Sequence, residues 1–270
     1  MKKIGYFTLS TGERIPAIGF GTWQIPNGNI AYESTSFALK SGYRHVDTAN
    51  AYGNEESIGR AVRDSGIDRG EIYVTSKLPA ETKTYEGALK KFEETMKNLG
   101  LDYIDLYLIH APWPWSEMGK DYTKENIKVW KAMEEFCKSG RTRAIGISNF
   151  NVSDMNAILG SCTIRPVVNQ IKVHIGHSQE EITEHCMKNN ILVEGYSPLA
   201  TGRILGNKVI EEMALKYERT LPQLCIRYVL QRGALPLPKS THREYILQNA
   251  DVDFIISDED MSYLNGLKTL

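Results

Sequence analysis

Along this 270-residue chain, eight short apolar, β-branched runs alternate with segments of helical period, and that alternation constrains the fold more than any other feature. The runs are AIGFG (17–21), RHVDT (44–48), IYVTS (72–76), DLYLIH (105–110), RAIGIS (143–148), PVVNQI (166–171), ILVEGYS (191–197) and ALPLPK (234–239). Between them apolar residues recur three and four apart: Leu89, Phe92, Met96 and Leu99 ahead of Gly100, and Ile127, Trp130, Met133 and Phe136 ahead of Gly140. Both stretches predict amphipathic helices closed by a glycine. Ser178, three residues before Glu181, reads as a capping box for a helix carrying Ile182 and Cys186. Ser153 and Asp154 read as the start of a helix with Met155, Ile158 and Leu159. Ahead of the first unit, YFTL and RIPAI flank the turn-forming STGE, which predicts a hairpin.

Repeated β-then-α order makes either a closed barrel or an open doubly wound sheet. No Pro/Ser/Gly-rich linker or low-complexity tract divides the chain, and connections are mostly short, the longest candidate loop being 111–123. A doubly wound dinucleotide fold would want GxGxxG after its first strand, whereas GFGTW at 19–23 lacks the third glycine and leads into no immediate helix. The expected fold is therefore α/β: one domain over residues 1–270, a (β/α)8 TIM barrel preceded by an N-terminal β-hairpin.

Thirty-two basic residues against 33 acidic ones leave a formal net charge of −1, so no global field draws nucleic acid or an anionic membrane, and any anion site must be local. No uncharged run approaches the ~20 residues that span a bilayer, and the opening MKKIGYFTLSTGERIP is basic without an apolar stretch of signal-peptide length. Cys137, Cys162, Cys186 and Cys225 lie far apart with no CxxC pair, which suits reduced thiols and a cytoplasmic location. HxxxH, clustered Cys/His and DxDxDG spacings are all absent from the sequence, so the expected site is metal-free. With no long apolar stripe to force association, a monomer is expected.

Active sites of βα barrels lie at the C-terminal ends of the strands. In chain order those ends carry Asp47, Lys77, His110, Ser148 with Asn149, Asn169 with Gln170, Tyr196 with Ser197, and Lys239 with Ser240. Taken singly, Asp47 and Lys77 read as a structural ion pair, His110 as a core histidine and Tyr196 as packing. Taken together, an acid, an amine and an imidazole converge on three adjacent strand ends. Buried charge is costly unless function requires it, so the cluster reads as catalytic.

The strings DTANAYGNEESIGRAV, TSKL, LIHAP, GISNF, VVNQI, YSPL and LPKS follow one another along nearly the whole chain, with Tyr52 five residues beyond Asp47. In these strings the sequence resembles the aldo-keto reductases, nearest in overall cast to bacterial members of the 2,5-diketo-D-gluconate reductase type. The resemblance implies reduction of a small aldehyde or ketone with NADPH. It implies Tyr52 as general acid, Lys77 and Asp47 as its tuning pair, and His110 as the group orienting the carbonyl oxygen. A free tyrosine has a pKa of about 10, and a nearby ammonium favours the phenolate, so Lys77 is expected to make the phenol a better acid. By the same resemblance Tyr196 stacks on the nicotinamide, Ser148, Asn149 and Gln170 hold its carboxamide, and Thr22 and Trp23 lie near ribose and substrate. Ser197, Leu199, Gly202, Lys239, Ser240, Thr241, Tyr245 and Asn249 are implied at the diphosphate and adenosine end. There the loops after strands seven and eight, and a helix predicted at 242–249, favour anions.

Departures from the family pattern carry their own expectations. Tyr245 stands six residues after the PKS lysine, where the family usually has arginine, and Arg243 is two positions early. Without that guanidinium the preference for NADPH should weaken and NADH be accepted. Ala111 replaces a usual tryptophan and is followed by Pro112, Trp113, Pro114 and Trp115. Trp23 and Trp113, with Trp115 beside them, are candidate substrate walls; Trp113 and Trp115 read equally well as packing loop 111–123 onto the barrel. Lys172 and Ile175 stand where an acidic residue and a proline are usual, so His174 is assigned no role. Few residues follow the last helical segment, with Met261 and Leu264, where relatives carry a substrate-covering loop; a shallow pocket and broad specificity are expected. Two other readings stay in view. One is a Schiff-base lyase or aldolase acting through Lys77, disfavoured by Tyr52 and the PKS segment. The other is a non-catalytic cofactor sensor, disfavoured by the intact Asp47, Tyr52, Lys77 and His110 set.

Overall fold

The computed structural model describes residues 5–268; the basic opening at 1–4 lies outside the described residues. Strands β1 (Tyr6–Thr8) and β2 (Arg14–Pro16) form the expected antiparallel hairpin, with Phe7 opposite Ile15. Eight parallel strands follow: β3 (Phe20–Gly21), β4 (His45–Asp47), β5 (Tyr73–Leu78), β6 (Ile104–Ile109), β7 (Thr142–Ser148), β8 (Val168–Lys172), β9 (Leu192–Tyr196) and β10 (Leu235–Leu237). Each pairs with its successor in sequence, which is the order of a barrel and not of a doubly wound sheet. The Gly19 and Gly21 amides donate to the carbonyls of Pro236 (3.1 Å) and Pro238 (2.9 Å), bringing the last strand back against the first.

The helices are α1 (Asn29–Lys40), α2 (Glu55–Arg63), α3 (Tyr85–Leu99), α4 (Thr123–Lys138), α5 (Val152–Leu159), α6 (Glu180–Lys188), α7 (Lys208–Lys216), α8 (Leu221–Gln231), α9 (Arg243–Ala250) and α10 (Asp258–Gly266). Among the described residues no helix is long and apolar enough to cross a membrane. The two helices predicted from spacing are α3 and α4, and Gly100 ends α3 in the left-handed conformation (φ 60). Two helix starts differ from expectation. Helix α5 starts one residue before the expected Ser153 and is capped by Asn151, the last residue with extended backbone, which forms a capping box with Asp154. The α6 N-cap is Gln179 in the left-handed conformation, with no side-chain cap bond, so Ser178 and Glu181 make no capping box.

The period-two side-chain alternation of a strand sorts the core into an inside and an outside. On β6, Leu106 and Leu108 join Leu9, Ile15, Tyr73 and Leu235 in a cluster that packs the hairpin against the barrel interior. Tyr107 and Ile109 face the helical layer, where Phe92 stacks on Phe136 at 3.9 Å and Tyr107 meets Phe92 edge-on. Cys186 and Cys225 lie in this layer; Cys137 and Cys162 are only half-buried, and all four cysteines are unpaired.

Two features hold the loops above the strand ends. In the 111–123 segment, Lys83 Nζ donates to the Ala111 carbonyl (2.9 Å) and to Asn126 Oδ1 (3.0 Å), while Asn126 Nδ2 donates to the Pro112 carbonyl (2.8 Å). Helix α2, which follows Tyr52, lies close against the end of α3: a Cβ on Gly59 would stand 1.9 Å from the Leu99 carbonyl oxygen. Helix propensity alone favours alanine over glycine by about 1 kcal/mol. Overpacking reverses that sign, so Gly59→Ala is expected to lower stability by about 1–3 kcal/mol in urea unfolding.

Candidate active site

Barrel register brings the charged strand ends together. Asp47 ends β4 opposite Thr75, and Lys77 lies two residues further along β5, pointing to the same interior as Thr75. Lys77 is fully buried and Asp47 nearly so. Lys77 Nζ donates to both Asp47 carboxylate oxygens, at 2.7 and 2.8 Å, to the Thr48 carbonyl at 2.9 Å, and to the Tyr52 hydroxyl at 3.3 Å. Burial alone would lower the Lys77 pKa, but the Asp47 charge and these hydrogen bonds together hold the ammonium above its ordinary value.

Tyr52 reaches this pair from a single helical turn, Asn50–Tyr52, which Gly53 closes with a left-handed backbone (φ 68). Buried Asn54 fastens the turn: its Nδ2 donates to the Thr22 and Ile25 carbonyls, each at 2.9 Å, and its Oδ1 accepts from Thr48 Oγ1 at 2.7 Å. Nothing in the spacing of the strand ends marked Asn54 for this task. Burial raises the Tyr52 pKa from its ordinary value, and the Lys77 charge opposes it. The ammonium thus acts in the expected direction, towards a better acid, but desolvation of the phenolate outweighs it and leaves the net shift upward.

His110 follows β6, with its ring edge-on to Tyr52 at 5.6 Å. Burial, then the Lys77 charge, pushes its pKa down to about 3, so the ring is neutral at ordinary pH. Its Nδ1 has no hydrogen-bond partner among the described residues. An aromatic chain continues outward from it. Trp115 meets His110 edge-on at 5.5 Å, and Trp113 lies behind Trp115 at 5.3 Å. The tryptophan against His110 is therefore Trp115, with Trp113 as its support; the PWPW string offers no basis for ranking the two. Trp23 stands at the rim, 47% exposed.

Ser148, Asn149, Gln170 and Tyr196 also converge. The Tyr196 hydroxyl donates to Asn149 Oδ1 at 2.8 Å, Asn149 Nδ2 donates to the His110 carbonyl at 2.9 Å, and Ser148 Oγ donates to the Gln170 carbonyl at 2.8 Å. Gln170 Nε2 donates to Asp47 Oδ2 at 2.8 Å and to Glu194 Oε2 at 2.7 Å. Glu194, on β9, is a fully buried carboxyl that strand-end reasoning passed over; burial first, and then the Asp47 charge, pushes its pKa up to about 8. A lone acid in the apolar run ILVEGYS was the available signal. Thr22 is buried, its hydroxyl donating to the Asp47 carbonyl at 2.9 Å; Asn169 turns outward, donating to the Phe150 carbonyl at 3.0 Å.

Two segments beyond this ring carry the remaining predicted residues. After β9, Ser197, Ala200, Thr201 and Gly202 all take positive φ, and Leu199 and Arg203 belong to the same loop. After β10, Lys239 and Thr241 are exposed and Ser240 is buried, its Oγ accepting from the His242 amide at 3.0 Å. The α9 N-cap, His242, makes no side-chain cap bond. Tyr245 is exposed on α9 beside His242, Asn249 is buried on the same helix, and Arg243 lies over the Phe37 ring at 5.1 Å.

The model of the Aldo/keto reductase family matches residues 17–269. The chain belongs to that family. It is 41% identical over 260 residues to a glyoxal reductase of Bacillus subtilis, covering 96% of this chain and 91% of that one. Among solved structures, an aldo-keto reductase from a Medee basin deep-sea metagenome library superposes with TM-score 0.90 at 40% identity, covering 98% of this chain and 95% of that one. A Bombyx mori aldo-keto reductase solved in complex with NADP superposes with TM-score 0.88 at 32% identity, covering 98% and 93%.

The Lys77–Asp47 pair is worth testing for its own sake. Removing one partner of a buried ion pair leaves the other charge unpaired, so Lys77→Met is expected to cost about 3–5 kcal/mol of unfolding free energy by urea titration.

Proposed function

We propose that this aldo-keto reductase acts as a single-domain monomer that reduces small aldehydes and ketones to alcohols with NADPH, Tyr52 giving the proton. The observation that carries this reading is the Lys77 ammonium, fully buried, paired with Asp47 and 3.3 Å from the Tyr52 hydroxyl. Four unpaired cysteines suit a reducing cytoplasm.

The residues present fit a dinucleotide. The first turn of α9 has no side-chain cap, leaving backbone N–H groups for an anion beside exposed Lys239. Ser197, Ala200, Thr201 and Gly202, each with positive φ, turn the chain sharply above β9, near the half-buried Tyr196 ring. Tyr196 would meet the nicotinamide, and Ser148, Asn149 and Gln170 its carboxamide. Thr22, Trp23, Ser197, Leu199, Gly202, Lys239, Ser240, Thr241, Tyr245 and Asn249 would hold the rest; the Bombyx mori relative solved with NADP supports the cofactor. Bound NADPH supplies the hydride.

The protein's own groups manage the oxygen. The substrate carbonyl oxygen sits between the Tyr52 hydroxyl and His110, whose ring is neutral and gains nothing by carrying its proton on Nδ1; that leaves Nε2–H as donor. As negative charge develops on that oxygen, two donors already in position meet it, and the Tyr52 proton transfers to it. The phenolate left behind stands against the Lys77 ammonium until solvent returns a proton. Because the phenol's pKa is raised, Tyr52 stays protonated at neutral pH, the state a donor needs. Lys77 is unsuited to Schiff-base chemistry: its nitrogen is charged and its hydrogen bonds are committed to Asp47, Thr48 and Tyr52, so no lone pair is free to attack a carbonyl. The substrates are small and varied, with Trp115, backed by Trp113, and Trp23 as walls; the glyoxal reductase relative supports small reactive aldehydes.

Two measurements test this. Protein mixed with NADPH and a panel including methylglyoxal and an aryl aldehyde is expected to oxidise the cofactor, and Tyr52→Phe to lower kcat by about 10²–10⁴-fold with unchanged circular dichroism; full retention of turnover would remove Tyr52 from the role. With Tyr245 in place of arginine, NADH is expected to support the same reduction, and Tyr245→Arg to raise the NADPH:NADH ratio of kcat/KM by roughly tenfold or more. A strict NADPH requirement in the unaltered protein would contradict this.

A further inference from the structure

Beneath the Lys77–Asp47 pair the barrel interior holds a second carboxyl that the reduction scheme leaves unused. Glu194 is fully buried on β9; its Oε2 accepts from Gln170 Nε2 at 2.7 Å, and its Oε1 has no partner among the described residues. The other hydrogen of the same Gln170 nitrogen goes to Asp47 Oδ2 at 2.8 Å. One amide NH2 thus spans two carboxyl groups on opposite sides of it. Turning the amide over would set its carbonyl oxygen against the ionised Asp47 carboxylate, so Asp47 fixes Gln170 in one orientation.

Charge balance decides the state of Glu194. The groups facing it are Asp47 from β4, Lys77 and Tyr73 from β5, and Gln170 from β8, while β10 brings only Leu235, Pro236 and Leu237. His45, edge-on to Tyr73 in the same interior, is held neutral by burial and by Lys77. Lys77 is the single cation among these described groups, and Asp47 already takes it. An ionised Glu194 would be a second anion with no cation of its own.

We propose that Glu194 is a positioning residue for the reduction: through the Gln170 amide it braces the Asp47–Lys77 pair under Tyr52, and it does so as a neutral carboxylic acid. The inference rests on the reductase reading and deepens it. When Glu194 loses its proton, two carboxylates draw on one ammonium. Less of the Lys77 charge is then available to the phenolate that forms on Tyr52, and Tyr52 becomes the weaker acid. The burial and charge described above set this loss near pH 8, well below the titration of Tyr52 itself.

The test compares the unaltered protein with Glu194→Gln, which keeps an acceptor for Gln170 and cannot ionise. With NADPH and 4-nitrobenzaldehyde, kcat/KM of the unaltered protein is expected to fall roughly threefold to tenfold between about pH 7 and pH 9. The Glu194→Gln profile is expected to stay flat over that range. Superimposable profiles would overturn the proposal.

Thermal unfolding supplies a readout that needs no turnover. An unfolded chain releases this proton near the ordinary value of 4.5, while the folded protein holds it to about 8. The folded state therefore loses stability as pH rises between those values and no further above them. The Tm of Glu194→Gln is expected to gain on that of the unaltered protein across this window and then level off; a constant difference would overturn the proposal. If no carbonyl panel is reduced but the Tm difference behaves as described, the reductase reading fails while the neutral state of Glu194 stands. Should Glu194→Gln not fold, 13C-carboxyl titration of the glutamate-labelled protein is expected to show one glutamate at strand β9 titrating above about pH 7. A midpoint below about pH 6 would overturn it.

Discussion

One buried ion pair, Lys77 with Asp47, organises the upper end of this barrel. An ammonium with no exposed surface is stable only where its charge and its donors are matched, and here two carboxylate oxygens and a backbone carbonyl do so within 2.9 Å. That match depends on the register of β4 against β5, and so on the sequential strand order of the whole barrel. It also accounts for its surroundings. The Lys77 charge helps keep His110 and His45 neutral, and the demand of Asp47 for further donors is met by Gln170.

Strain and polarity are concentrated on the same end. Asn149, Ser197, Ala200 and Thr201 all adopt positive φ without being glycine, and all lie after β7 or β9. Residues in that region cost of order 1 kcal/mol or more each and persist where the surrounding structure over-determines them. Below them, past Glu194 and His45, the barrel is packed by Leu9, Ile15, Leu106, Leu108 and Leu235 and closed by the hairpin. The division follows the usual one for this architecture, with stability at the N-terminal face and chemistry at the C-terminal face.

The eight strands and the family were legible because each rests on a local signal: an apolar run, a helical period, a motif string. The convergence of Asp47, Lys77 and His110 was legible because strand ends of a barrel share one face; Tyr52, on the turn beyond β4, was legible only through the motif that contains it. Other features were not. The cap of α5 and the start of α6 turn on which residue first leaves extended backbone, which composition does not reveal. Trp115 and not Trp113 touches His110 because Lys83 and Asn126 tie down the loop from outside the motif. The net direction of the Tyr52 pKa depends on how far burial outweighs one ammonium, a balance that only three-dimensional surroundings set.

The central claim is that the phenol of Tyr52, held against Lys77, gives the proton while hydride reaches carbon. Kinetic isotope effects on one aldehyde, measured in H2O and D2O with NADPH deuterated or not at the transferring position, test it most directly. The account predicts normal solvent and hydride isotope effects together in the unaltered protein, with the solvent effect lost from any residual turnover of Tyr52→Phe. An equal solvent isotope effect in both proteins would mean that the proton comes from elsewhere, and would contradict it.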